Sequence, residues 1–192
     1  MKYLEVRRHS QRSKPGQHLT QWGVTLARCV GAQLGPFARV VTSPLPRCVE
    51  TAVAMGFAID EVVTALGGLD GRGEYIPQEN EVDWSAGWLG MAAVIAQQGA
   101  LAEFAANQAS CWLKVVQSLT DGERALVITH GGGFLSGTAI TLMPDADFQQ
   151  MGRGSAFCEG VLISFEGNIA SGLTALRVDT AGLGLTPRSD GF

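Results

Sequence analysis

The residues best suited to chemistry stand near the start of the chain, in Arg7-Arg8-His9-Ser10-Gln11-Arg12, which follows directly on the short run Tyr3-Leu4-Glu5-Val6. An imidazole just past the end of a buried strand is placed to react. Guanidinium groups on either side of it hold an anion, and phosphate is the first candidate because its oxygens match their forked donors. Two further segments deliver related groups. Arg47 lies just past Arg39-Val40-Val41-Thr42, and His130 follows Ala125-Leu126-Val127-Ile128-Thr129. Ligands of open α/β sheets bind beyond the carboxyl ends of the strands, so these three runs converge on one edge.

The elements that must position these groups can be read from pattern. Residues 3–8, 39–42, 125–129 and 161–165 are apolar or β-branched runs that end at polar or Gly/Pro punctuation. Residues 173–178 read as a hairpin partner across the turn Glu166-Gly167-Asn168. A helix is predicted after Thr20 as N-cap, with Val24, Ala27, Val30 and Leu34 on one face and a stop at Gly35-Pro36. A second is predicted after Ser43 as N-cap, with Pro44 at its first position and Cys48, Thr51, Ala52 and Met55 inward. The Ala-rich stretch 89–119, interrupted near Gly99, reads as two helices or one kinked helix. Alternating strands and helices predict an α/β fold with a mainly parallel sheet covered on both faces. One domain over 1–180 with a loose C-terminal tail over 181–192 is expected, because the tail has no periodicity.

Composition narrows the partners. The 192 residues carry a formal charge of −4, so no global basic field attracts nucleic acid or an anionic membrane, and any anion site must be local. Cys29, Cys48, Cys111 and Cys158 form no C-x-x-C pair, which gives neither a zinc ribbon nor a redox dithiol. No segment reaches the roughly 18 uninterrupted apolar residues of a membrane helix, and the N-terminal run is broken at once by Glu5 and the arginines. A cytoplasmic protein is expected.

Four blocks in order, Arg8-His9-Ser10-Gln11-Arg12, Leu19-Thr20-Gln21-Trp22-Gly23, Thr42-Ser43-Pro44-Leu45-Pro46-Arg47-Cys48-Val49-Glu50-Thr51-Ala52 and Thr129-His130-Gly131-Gly132, resemble the motifs of the histidine phosphatase, or phosphoglycerate mutase-like, superfamily. The second and third look like its L-T-x-x-G and S-P-L-x-R-A-x-x-T-A patterns. The resemblance implies a three-layer α/β/α sandwich and phosphoryl transfer to the histidine of the R-H-G motif, here His9. It further implies that Arg8, Arg12 and Arg47 clamp the phosphoryl oxygens, that His130 adds a donor, and that Gly131 lets the backbone approach. The proton for the leaving group is expected from Glu74, with Glu79, Glu81 and Asp83 as competitors. No metal and no cofactor are implied, and the substrate is a small phosphate ester or a phosphoprotein. Ser10 departs from the pattern, replacing the glycine that usually follows the nucleophile.

Other readings compete. His130-Gly131-Gly132-Gly133-Phe134 also looks like an esterase oxyanion segment, but Ser136, Ser155, Ser164, Ser171 and Ser189 all lack the glycine two residues before that a G-x-S-x-G elbow requires. A phosphate- or phosphopeptide-binding module would keep the arginines and lose the nucleophile or acid. A phosphoglycerate mutase would return the phosphoryl group to substrate, and the compact chain leaves little room for the enclosing insertions of that class. Among single residues, Arg7 reads as a solvated base, Arg47 has Glu50 as an alternative helix-surface partner, and His18 reads as a surface residue. Trp84 and Trp88 are candidates for either pocket or core.

Overall fold

The computed structural model describes residues 1–68 and 76–186. Its sheet is built from β1 (Lys2–Arg8), β2 (Arg39–Thr42), β3 (Glu61–Val62), β4 (Arg124–Thr129), β5 (Gly160–Glu166) and β6 (Ile169–Leu176), in the order β3-β2-β4-β1-β5-β6. The first four are mutually parallel where they pair; β5 runs antiparallel to β1, and β6 antiparallel to β5. The register sets Arg8 beside Thr129 and Thr42 beside Ile128. The residues that follow these three strands therefore emerge together at one edge.

Alternation along the strands divides the core into two layers. Leu4, Val6, Val41, Ala125, Val127, Val161 and Ile163 face α3 (Trp88–Ile95), α4 (Ala100–Gln117), α5 (Ser136–Leu142) and α6 (Phe148–Met151). Val40, Leu126 and Ile128 face Leu26, Ala27, Val30, Cys48 and Ala52 on α1 (Gln21–Gly31) and α2 (Pro46–Ala54). The result is the three-layer α/β/α sandwich with a mainly parallel sheet. Each layer buries apolar surface worth about 25 cal/mol per Å² removed from water.

Several boundaries differ from the sequence reading. Thr20 does cap α1, its hydroxyl accepting from the Gly23 amide at 2.9 Å. The second helix starts two residues later than predicted, with Leu45 at the cap and Pro46 in the first turn, because the Ser43 hydroxyl is engaged by His130 instead of a helix amide. The 89–119 stretch is two helices meeting at 103°, parted at Gln98 (φ 56°) and Gly99. No single helix among the described residues is long and apolar enough to cross a membrane. β6 begins at Ile169, ahead of the predicted 173, since the tight turn brings Ile169 opposite Glu166 immediately. Beyond 180, Leu183 and Leu185 pack on the α1/α2 layer and Trp22 donates to the Thr186 carbonyl at 3.1 Å; residues 187–192 lie outside the described residues.

Arg7 is not a solvated base. It is 5 % exposed, its Nε donates to the carboxylate of Glu5, itself 1 % exposed, and another of its nitrogens donates to the Cys158 carbonyl at 2.6 Å. Arg124 closes on the other oxygen of Glu5 at 3.3 Å. Residues two apart on a strand share a face, so an acid and a base at 5 and 7 neutralise each other inside the α1/α2 layer, where one of them unpaired would be costly.

Candidate active site

His9 leaves β1 with its amide donating to the Thr129 carbonyl at 2.9 Å, which holds the residue at the sheet edge. The loop that follows is fixed from three sides. The Ser10 amide donates to Thr51 Oγ1 at 2.9 Å, and Thr51 in turn donates to the Arg47 carbonyl at 2.6 Å. The Ser10 hydroxyl donates to the Gly23 carbonyl at 2.7 Å. The Gln11 carbonyl accepts from the Thr20 amide at 3.0 Å, and a side chain at Gly23 would collide with that same carbonyl oxygen. The glycine of the L-T-x-x-G block and the threonine of the S-P-L-x-R block are thus explained by close packing on the histidine loop. Ser10 points into this packing with no exposed surface, so the extra side chain is turned away from the anion position.

The ring geometry follows from one arginine. His9 Nδ1 lies 2.7 Å from the Ser10 carbonyl, which accepts only, so the proton sits on Nδ1 and Nε2 keeps its lone pair. Arg47 Nε donates to that Nε2 at 3.1 Å, and a second Arg47 nitrogen donates to His130 Nδ1 at 3.1 Å. The proton of His130 is consequently on Nε2 and donates to Ser43 Oγ at 2.9 Å. The two rings stand 5.4 Å apart, centroid to centroid, at 65°. A single guanidinium therefore bridges two neutral imidazoles and sets the tautomer of each. Arg47 does not use Glu50, which accepts from His18 and from the Leu19 amide at 2.5 and 2.7 Å; His18 is the exposed member of that pair.

Burial is the largest cause that holds the His9 pKa well below the ordinary imidazole value, with His130, Arg8 and Arg47 adding to it and the Ser10 carbonyl opposing. His130 is depressed in the same direction by burial and then by Arg47, Arg8 and Arg12. A neutral ring with an available Nε2 is the form a nitrogen nucleophile requires. Cys48 lies under His130, its Sγ 3.7 and 3.8 Å from the ring nitrogens, and burial pushes its thiol up to about 12. It acts as an inert apolar support.

Arg8 is brought to the same edge. One of its terminal nitrogens donates to the Ser155 carbonyl at 2.9 Å, its guanidinium carbon stands 4.7 Å over the Phe157 ring, and its buried Nε has no partner among the described residues. Gly131 sits against it, a Cβ there falling 3.3 Å from Arg8 Nε. Arg12 is not drawn into the cluster by a direct bond. Its guanidinium folds back on its own loop, donating to the Gly16 carbonyl at 2.7 Å, and only its charge reaches Arg47 and His130. Sequence reasoning overlooked Gln17, whose side-chain oxygen accepts from Arg47, and Ser43, read as a helix cap; neither residue type carries a local signal for such a contact.

Glu74 falls outside the described residues. Of its competitors, Asp83 is exposed and caps the short turn Trp84–Ala86, accepting from the Ser85 amide and hydroxyl at 3.0 and 2.6 Å, which lowers its pKa. Glu81 is exposed. Glu79, on the turn Pro77–Glu81, is the carboxylate that reaches the site. It accepts from the Gly133 amide at 2.5 Å and packs on Gly132, whose φ of 58° and missing Cβ leave room for it. Burial raises its pKa against the opposing effect of that amide. Glu79, Arg8, Gly131, Gly132, Ser136, Trp84 and residues 153–155 line a cavity of about 630 Å³. Trp88, by contrast, is buried core stacked on Phe148. No group of three or more His, Cys, Asp or Glu side chains able to hold a metal ion occurs among the described residues.

A neutral histidine pair bridged by one arginine stands at the carboxyl edge of this sheet. The chain belongs to the histidine phosphatase superfamily (branch 1), whose family model matches residues 5–156. Similar solved structures include phosphoserine phosphatase from Entamoeba histolytica in complex with 3-phosphoglyceric acid, at 15% identity and TM-score 0.63 over 93% of this chain and 98% of that one. Phosphoglycerate mutase from Bacillus anthracis is similar at 18% identity and TM-score 0.59, with 95% of each chain covered. Mycobacterial glucosyl-3-phosphoglycerate phosphatase follows at 17% identity and TM-score 0.58, over 90% of this chain and 96% of that one. At these identities the likeness is one of fold. A comparison with curated protein sequences finds no match.

Proposed function

We propose that the protein is a phosphomonoesterase that works through a phosphohistidine on His9. The observation that carries this reading is the Arg47 bridge, which presents an unprotonated His9 Nε2 and a guanidinium to the same point. A phosphate ester entering there takes over the donors of Arg47 and Arg8, and the charge of Arg12 adds to the field. Freed from Arg47, Nε2 attacks phosphorus while the bond to the ester oxygen breaks, and the clamped oxygens carry charge that the fixed donors stabilise. The His130 ring then turns its Nε2–H from Ser43 Oγ to a phosphoryl oxygen, and Gly131 keeps the backbone close.

The departing oxygen needs a proton. Glu79 supplies it in this reading, because its carboxyl lines the adjoining cavity and burial favours its protonated form. Water then attacks phosphorus, Glu79 takes a proton from it, the P–N bond breaks, and neutral His9 and inorganic phosphate result. Glu74 remains the rival donor by position in the sequence. The two are separated by measuring Glu79→Gln and Glu74→Gln on phosphate esters of rising leaving-group pKa. The donor's variant is expected to lose about 10²-fold or more against poor leaving groups and far less against good ones. A flat response of Glu79→Gln across that series removes Glu79 from the role.

A further inference from the structure

Residues 152–159 contain no helix or strand, and their shape is set by one buried acid. Glu159, the residue before β5, is 1 % exposed. Arg153 donates to its carboxylate through both terminal nitrogens, at 2.7 and 2.6 Å, and Arg177 donates at 3.0 Å. The amides of Ala156 and Val178 add donors at 2.9 and 3.2 Å. Arg177 also donates to the Gly154 and Arg153 carbonyls, at 3.1 and 2.6 Å. Next to the acid, Cys158 turns the chain with a φ of 59°, a left-handed conformation that a residue with a side chain keeps only where its surroundings hold it.

What this segment carries is the seat of Arg8. The Arg8 amide donates to the Glu159 carbonyl at 2.8 Å, and the Arg8 carbonyl accepts from the Cys158 amide at 3.1 Å. Its guanidinium is held by the Ser155 carbonyl at 2.9 Å and lies over the Phe157 ring at 4.7 Å, which leaves the buried Nε without a partner among the described residues. The same Phe157 ring stands 6.1 Å from the His9 ring. A carboxylate repels a phosphate, so Glu159 can serve the site only by placing its neighbours. We propose, resting on the phosphatase reading, that Glu159 is a positioning residue: it fixes residues 153–158 so that Ser155 and Phe157 hold the Arg8 guanidinium at the phosphoryl oxygens. A binding group acts at full strength only when the residues behind it are themselves locked.

Binding of inorganic phosphate, followed by phosphorus NMR so that millimolar affinities are still read, tests this without turnover. Glu159→Gln is compared with Arg177→Gln, which keeps the carboxylate and removes one of its holders at a partly exposed position; where Glu159→Gln does not fold, Arg177→Gln decides. In the folded variant phosphate is expected to bind about tenfold more weakly, the worth of one hydrogen bond to a charged group. Placed in an Arg8→Ala background, the same substitution is expected to change the affinity by less than about twofold, because its route runs through Arg8. A general loss of folded protein would lower binding alike in both backgrounds, so the cycle separates positioning from structural support. An unchanged affinity in a folded variant, or a tenfold loss that persists in Arg8→Ala, overturns the inference and leaves the phosphatase reading in place. A wild type that binds no phosphate overturns the phosphate site, and both readings with it.

Discussion

Two buried neutral histidines make the stability of this fold depend on pH in a range where ordinary carboxylates are silent. His9 and His130 both have folded-state pKa values well below the ordinary 6.5. Below about pH 6 the unfolded chain therefore binds two protons that the folded chain does not, and stability falls as pH falls. Each such proton contributes at most about 1.4 kcal/mol per pH unit, so the pair contributes up to about 2.7 kcal/mol per unit below the ordinary imidazole value of 6.5 until the folded-state rings themselves titrate. The other shifted acids act lower or in the opposite sense. Glu50 and Glu159 are depressed, so their stabilisation is lost only below about the ordinary carboxylate value of 4.5. Glu79 is raised, so the folded state takes its proton first and gains stability as pH falls. Urea unfolding at pH 7.0, 6.0, 5.5 and 5.0, compared between the wild type and His9→Asn or His130→Asn, isolates the histidine contribution. Each substitution is expected to reduce the slope by up to about 1.4 kcal/mol per pH unit. Equal slopes in all three proteins would refute the assignment of both rings as neutral.

Other consequences can be checked on single side chains. Ser10→Gly removes the bond to the Gly23 carbonyl and is expected to cost about 1 kcal/mol in denaturant unfolding. Because that side chain faces away from the anion position, kcat on an aryl phosphate is expected to change by less than about threefold. Glu5→Gln leaves Arg7 buried without its anion, and a loss of about 3–5 kcal/mol is expected. Replacing the two together, Glu5→Leu with Arg7→Met, is expected to recover most of that loss, which thermal unfolding of the single and double variants measures.

How much of this was legible in the sequence depends on whether the signal was local. Strand runs such as 125–129 and the cap at Thr20 carry their own pattern, and the strand ends at residues 8, 42 and 129 suffice to bring Arg8, His9, Arg47 and His130 to one sheet edge. Arg7 and Glu5 both look solvent-bound in a linear text; only strand alternation inside a doubly covered sheet makes the pair internal. Ser43 differs from its expected role because a serine before Pro is also a good helix cap, while the competing acceptor role toward His130 comes from a residue 87 positions away. Glu74, the acid expected by position, lies outside the described residues. The approach of Glu79 to Gly132 and Gly133 depends on a left-handed backbone at Gly132, a conformation set by the fold. Arg12 was assigned to the clamp by its place in a motif, yet its side chain is engaged by its own loop.

The central claim is a covalent phosphoryl group on His9 Nε2. Mixing the protein with a phosphate ester labelled on phosphorus, quenching within milliseconds in alkali and mapping the label by mass spectrometry tests it directly. The account predicts an acid-labile, alkali-stable label on the peptide containing His9, absent in His9→Ala and, with an aryl phosphate whose leaving group departs without a proton, accumulating in Glu79→Gln. Turnover of the ester with no label on His9, or label and turnover that survive in His9→Ala, would contradict it.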